Sequence, residues 1–234
     1  MSSVIYLIPT VLSEGATDCL PSYILDAVKG CSVFFVENER TTRRYLKLLW
    51  KDMVIDDYEW HNMKEVKDEV ASTFKQKIKE AKNIGIISEA GCPGVADPGQ
   101  MLVAIAQQMN VIVKPLVGPN SILLALMASG LNGQQFQFVG YLPIDAAERS
   151  KEIKHLESES RQKQCTQIFI ETPYRNNQLL ETLTKALHPQ TKICIAADLT
   201  STAEMIQTKT ALQWKSSMPQ IHKRPAIFLI YAGD

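Results

Sequence analysis

The 234-residue sequence has no surplus charge of either sign: 25 lysines and arginines stand against 25 aspartates and glutamates. That balance excludes a protein that coats nucleic acid with a general basic field, and neither half departs from neutrality by more than two charges. Paired cysteines are lacking as well. Cys19, Cys31, Cys92, Cys165 and Cys194 are an odd set without C-x-x-C spacing, and the four histidines (His61, His155, His188, His222) lie apart from them. A disulfide framework and a structural zinc site are both excluded on that pattern, so no metal is expected, and free thiols fit a reducing compartment. No run approaches the roughly 20 apolar residues of a membrane helix. The opening MSSVIYLIPT has no basic leader, and its apolar run is too short for a signal peptide. These absences predict a soluble cytoplasmic chain. Repeats and low-complexity segments are also missing. What remains is a globular composition, 45% apolar, long enough for one or two domains with a sizeable core.

Two signals alternate along the chain. Short β-branched or aromatic runs at Val4–Ile8, Val33–Val36, Ile84–Ile87, Val111–Val113, Phe136–Val139, Gln167–Ile170, Ile193–Ala197 and Ala226–Tyr231 predict strands. Amphipathic stretches predict helices over Pro21–Val28, Thr42–Trp50, Glu65–Ala81, Gln100–Met109, Ser121–Ser129, Ala146–Ser158 and Asn176–Leu187. Strand–helix alternation implies βαβ units and largely parallel sheets covered by helices on both faces. Leu116–Asn120 reads L-V-G-P-N, a Gly-Pro punctuation that divides the chain into α/β domains at about 1–116 and 120–234.

Ligands of open α/β sheets bind outside the carboxyl ends of the strands, so the loops there carry the functional reading. Pro9-Thr10 ends the first strand and serves equally as a plain terminator. Ile86 to Gly99, I-I-S-E-A-G-C-P-G-V-A-D-P-G, is glycine- and proline-rich directly after a buried strand. Its small residues let main chain approach a ligand; the alternative is a long structural turn. It is neither the G-x-G-x-x-G dinucleotide fingerprint nor a Walker loop. Asn120 or Ser121 can cap the helix that follows Gly118-Pro119. Ile168 to Arg175, I-F-I-E-T-P-Y-R, brings a carboxylate, a hydroxyl, a ring and a guanidinium to one strand end. In Val36 to Tyr45, Arg40, Arg43 and Arg44 form a basic patch that can hold phosphate, or can pair with Glu37 and Glu39 on a solvated face.

Taken together these loops resemble the tetrapyrrole methylase superfamily, and within it the bacterial branch that 2′-O-methylates a cytidine of small-subunit ribosomal RNA. The blocks are Pro9-Thr10, Glu37 to Arg44, Ser88-Glu89-Ala90-Gly91-Cys92-Pro93 with Asp97-Pro98-Gly99, and Gly118-Pro119 with Ser129-Gly130-Leu131. Phe136 to Pro143 and Ile170-Glu171-Thr172-Pro173-Tyr174-Arg175 complete them, in the family's order over nearly the whole chain. Departures are Val11-Leu12-Ser13-Glu14-Gly15 where the family has I-G-N-L, Asn38 for aspartate, Cys92 for threonine, and a shorter C-terminal region.

The resemblance implies two α/β domains with S-adenosylmethionine in a cleft between them. Pro9, Ala90, Gly91, Cys92, Pro93, Val95 and Ala96 would line one side of the cofactor. Ser121, Ile122, Thr172, Ala197, Pro225 and Ala226 would line the other. Arg40, Arg43, Arg44 and Arg175 would bind the substrate, ribosomal RNA or the small subunit, and the chain would be a homodimer. A ribose hydroxyl needs a base to take its proton, and Glu37 and Glu89 are candidates by location alone, so the catalytic residue stays unassigned. Three other readings stay open: methylation of a tetrapyrrole, methylation of a modified histidine in a translation factor, and a non-catalytic binding module on the same fold. A nicotinamide oxidoreductase is disfavoured by the missing glycine fingerprint.

Overall fold

A computed structural model describes residues 3–233. The chain divides into two compact units, the first ending at Asn120 and the second beginning at Ser121.

In the first unit five strands form one sheet in the order β3-β2-β4-β1-β5: β1 (Val4–Ile8), β2 (Val33–Val36), β3 (Glu59–Asn62), β4 (Ile84–Ile87) and β5 (Ile112–Pro115). Every pairing in it is parallel. Strands β2 and β4 are buried along their whole length, as continuous apolar runs in a parallel sheet require. Alternation along the strands sends side chains to two cores. Ile5, Val33, Phe35, Ile84 and Ile86 pack against α3 (Lys67–Lys79) and α4 (Gly99–Gln108) through Val70, Phe74, Leu102 and Ile105. Ile8, Phe34, Val36 and Ile87 pack against α1 (Ile24–Lys29) and α2 (Glu39–Leu49) through Ile24, Val28, Tyr45 and Leu46. Fully burying a side chain of this size contributes about 1.5–3 kcal/mol, so these alternating rows hold the unit together.

The second unit departs from the parallel expectation. Its sheet runs β6-β7-β10-β8-β9, made of β6 (Phe136–Tyr141), β7 (Thr166–Ile170), β8 (Lys192–Ala197), β9 (Met205–Thr210) and β10 (Ala226–Tyr231). Only β6 and β7 pair in parallel; β10 runs antiparallel to both β7 and β8, and β9 antiparallel to β8. The last strand returns through the middle of the sheet, where it is buried throughout. A strand buried on both faces shows the same unbroken apolar run whichever way it points, so direction was not legible. One face is covered by α6 (Ala146–Lys163), α7 (Asn176–Ala186) and α8 (Ala211–Ser216) through Ile153, Leu156, Leu179, Leu183 and Trp214. Helix α5 (Ser121–Ser129) packs against β8, β9 and β10. No helix of the described residues is long and apolar enough to cross a membrane.

Candidate functional site

Register places the site. Ile8 and Val36 both align with Ile87, so β1, β2 and β4 end level and their loops share one edge of the first sheet. Hydrogen bonds then tie these loops together. Thr10 N donates to Gly91 O at 2.9 Å, Glu37 N to Ile87 O at 3.2 Å, and Leu116 N to Leu7 O at 3.1 Å. The Tyr45 hydroxyl donates to Pro9 O at 2.6 Å, and burial raises the pKa of this phenol, so it stays protonated.

The Ser88–Gly99 loop takes its shape from left-handed backbone at Gly91 (φ +72°), Gly94 (φ +84°) and Ala96 (φ +58°). Asp97 closes it from inside, its Oδ1 accepting from Gly94 N at 2.8 Å and Gly99 N at 2.7 Å. Burial raises the Asp97 pKa, and those two N–H donors oppose the rise. Cys92 Sγ lies 3.5 Å from Gly118 O and 3.4 Å from Pro119 O, donating toward them, and burial pushes its thiol up.

Beside this loop lies a pocket of about 200 Å³. Its walls are the Thr10–Gly15 loop, one side of α2 (Thr41, Thr42, Arg44, Tyr45, Leu48), and Ser88-Glu89-Ala90. Pockets that enclose a drug-sized ligand run to about 300–1,000 Å³, so this one admits part of a larger ligand. Two of its lining residues, Glu14 and Arg44, form an exposed ion pair at 3.2 Å. Glu89, also in the lining, is held by its neighbour Glu37, whose Oε2 accepts from Glu89 N at 3.0 Å. Lys64 bridges the two carboxylates, 3.3 Å from Glu37 and 3.5 Å from Glu89. Partial burial works against the Lys64 charge, yet the two carboxylates outweigh it and raise its pKa.

The three arginines of α2 divide. Arg43 pairs with Glu39 at 2.7 Å and lies 5.1 Å above the Trp60 ring, a packed position. Arg44 faces the pocket, and Arg40 makes no ion pair among the described residues. Of the two glutamates weighed as their partners, Glu39 takes Arg43, whereas Glu37 turns to Lys64.

The edge of the second sheet gathers another set. Ala197 aligns with Ala226, Ile170 with Ile227, and Asp198 N donates to Pro225 O at 2.9 Å, which brings Thr172, Ala197, Pro225 and Ala226 to one edge. Glu171, nearly buried, accepts from Thr172 N at 2.6 Å and from Arg175 Nε and Nη2 at 3.0 and 2.7 Å. Arg175 is thus engaged in neutralising a buried carboxylate. Ser121 and Ile122 open α5. Sequence reasoning named Arg44 but missed Lys64 and the rest of the α2 wall, Tyr45 and Leu48 among it. Lys64 follows the half-buried edge strand β3, whose E-W-H-N has no apolar run to reveal it.

The family model for tetrapyrrole (corrin/porphyrin) methylases matches residues 15–213. The chain belongs to the tetrapyrrole methylase family. Among the curated relatives of this methylase chain is ribosomal RNA small subunit methyltransferase I of Vibrio cholerae serotype O1, 30% identical over 87% of this chain and 67% of that one. The protein of the same name from Bacillus subtilis is 29% identical over 86% and 65%, respectively. The methylase chain therefore spans about two thirds of the length of these relatives. Among solved structures, the methyltransferase CobJ superposes with a TM-score of 0.65 at 16% identity, covering 99% of this chain and 94% of that one. Uroporphyrin-III C-methyl transferase from Thermus thermophilus, complexed with S-adenyl homocysteine, gives 0.57 at 15% identity over 98% and 97%. These likenesses show the methylase fold.

Two departures from the family pattern keep their local physics. Asn38 caps α2, its Oδ1 accepting from Arg40 N at 3.1 Å and Thr41 N at 3.3 Å, a task asparagine and aspartate do about equally well. Cys92 keeps the loop tied to Gly118-Pro119 with a weaker sulfur donor. The third departure, Val11 to Gly15, builds one wall of the pocket.

Proposed function

We propose that this chain is an S-adenosylmethionine-dependent methyltransferase that acts in the cytoplasm on a ribose hydroxyl of small-subunit ribosomal RNA. The observation that carries this reading is the pocket beside Ser88-Glu89-Ala90, continuous through Ala90 with the Gly91–Ala96 loop. Family membership and the names of the curated relatives support it. The loop fits the cofactor chemically: its side chains are small, and with glycine at two of its three left-handed positions, Gly91, Gly94 and Ala96, its main chain can be approached closely. Pro9, Ala90, Gly91, Cys92, Pro93, Val95 and Ala96 are the first-unit residues assigned to it. Ser121, Ile122, Thr172, Ala197, Pro225 and Ala226 are the second-unit residues assigned to it. Bound S-adenosylmethionine supplies an electrophilic sulfonium methyl. The chain's own work is to orient the acceptor and exclude water, which is mostly positioning.

Tritium transfer from labelled S-adenosylmethionine into fractionated small subunits, tRNA and porphyrinogens tests the reading. Label is expected in alkali-stable dinucleotides of small-subunit RNA. Label in a porphyrinogen alone would move the assignment to tetrapyrrole methylation. The chain is also proposed to be a homodimer, and a sedimentation mass of one chain at micromolar concentration would contradict that.

A further inference from the structure

Four titratable side chains line the pocket: Glu14, Arg44, Tyr45 and Glu89. Removing a proton from an acceptor hydroxyl needs a group that is unprotonated and within reach. Arg44 is always a cation, and Tyr45 keeps its own proton, donated to Pro9 O. Glu14 is 80% exposed and paired with Arg44. Glu89 is exposed and paired too, but less so on both counts: its side chain is 41% exposed. It sits next to Ala90, where the pocket meets the cofactor loop, and its main chain is pinned by the Glu37 carboxylate. Its only ion-pair partner among the described residues is Lys64, at a loose 3.5 Å. Lys64 cannot be the base, because two carboxylates hold its proton on.

We infer that Glu89 is the general base of the methyl transfer and that Glu37 and Lys64 are the positioning residues that aim it. This rests on the proposed methyltransferase reading, and it takes the pocket beside the cofactor loop as the place of the acceptor hydroxyl. Atoms and electrons balance. The acceptor O–H bond breaks and its proton goes to a Glu89 carboxylate oxygen. The oxygen's electron pair forms the new O–CH3 bond, and the pair of the broken C–S bond stays on sulfur. No further reactant is needed. The two glutamates divide the task by surroundings: Glu37 has both oxygens engaged, one by Glu89 N and one by Lys64, whereas Glu89 faces the pocket.

The charged groups around Glu89 are Lys64 and Glu37, which contact it, and Arg44 and Glu14, which share the pocket lining with it. A base of this kind gives the rate an acid limb, because protonating the carboxylate removes the acceptor of the proton. The full chain, wild type and Glu89→Gln, Glu89→Asp, Glu37→Gln and Glu14→Gln, is compared in three measurements. These are single-turnover label transfer to small subunits across pH, calorimetric affinity for S-adenosylhomocysteine, and 13C NMR titration of labelled glutamate carboxyls in the ligand-free protein. Glu89→Gln is expected to lose about 100-fold or more in rate together with the acid limb, as general-base removal does, while cofactor affinity and thermal midpoint hold. Glu89→Asp should recover part of the rate. Glu37→Gln should shift the Glu89 carboxyl titration and lower the rate less, whereas Glu14→Gln should leave the acid limb in place. Retention of the wild-type rate and acid limb in Glu89→Gln overturns the assignment while the methyltransferase reading stands. Absence of RNA labelling by the wild-type chain removes that reading and this inference together.

Discussion

Single residues at the first sheet's edge are held to narrow tolerances, and Gly118 shows it most directly. A Cβ built there would lie 2.2 Å from Pro9 Cβ and 2.4 Å from Pro9 Cγ, so the backbone of the Gly-Pro turn rests on the proline ring. Gly118→Ala must therefore move Pro9, the residue that takes the Tyr45 hydrogen bond and opens the pocket loop. We expect a loss of about 1–3 kcal/mol in urea unfolding, the usual cost of overpacking, and weaker S-adenosylhomocysteine binding by calorimetry. Pairing it with Pro9→Gly should recover part of both losses, since the double variant removes both ring atoms that the new methyl strikes and leaves the residue 9 Cα at 3.7 Å. Additive losses would show that the close approach is not the cause. Gly91 is a poorer probe of ligand binding. Its φ of +72° strains any side chain, and a Cβ would already press on Leu12 and Pro119 O at 3.2 Å.

Elements were legible to the degree that burial marked them. The fully buried strands and the helices with one apolar face could be read from periodicity, and Ser121–Ser129 and Val33–Val36 fall on their expected bounds. What escaped lies at edges. Strand β3 is a half-buried edge of four residues, and β9 is an edge strand whose M-I-Q-T-K-T carries more polar than apolar residues. Helix α8 is six residues long, too short for a period, though its start is marked by a capping box between Thr210 and Gln213. Start points slipped for a similar reason. Helix α2 begins at Glu39, three residues before its first buried side chain, because Asn38 and not hydrophobicity sets its start. The candidate site divides in the same way. Glycines and prolines announced the Ser88–Gly99 loop, but Lys64 reaches the two glutamates only because β3 pairs beside β2, a tertiary fact with no local signature.

At the scale of the molecule, a chain with no net charge must bind a polyanion through local patches, if it binds one at all. The structure sorts the basic residues by availability. Arg43 is bound to Glu39 and stacked over Trp60, and Arg175 compensates buried Glu171, so removing either costs packing or leaves a charge unpaired. Arg40 and Arg44 are the exposed pair on α2, and among the described residues Arg44 has a single ion-pair partner, the exposed Glu14 of the pocket lining. An exposed ion pair is worth at most about 1 kcal/mol, little enough for a phosphate to displace it. The double variant Arg40→Ala with Arg44→Ala should therefore weaken binding to small ribosomal subunits while leaving S-adenosylhomocysteine affinity and urea stability unchanged. Its dependence of log affinity on log salt should become shallower by about 0.7–0.9 for each phosphate that the protein no longer neutralises. Arg43→Ala should do the reverse, lowering stability as the Trp60 stack disappears and leaving the salt slope near wild type. A double variant that binds with the wild-type slope would place the phosphate-binding residues elsewhere on the surface.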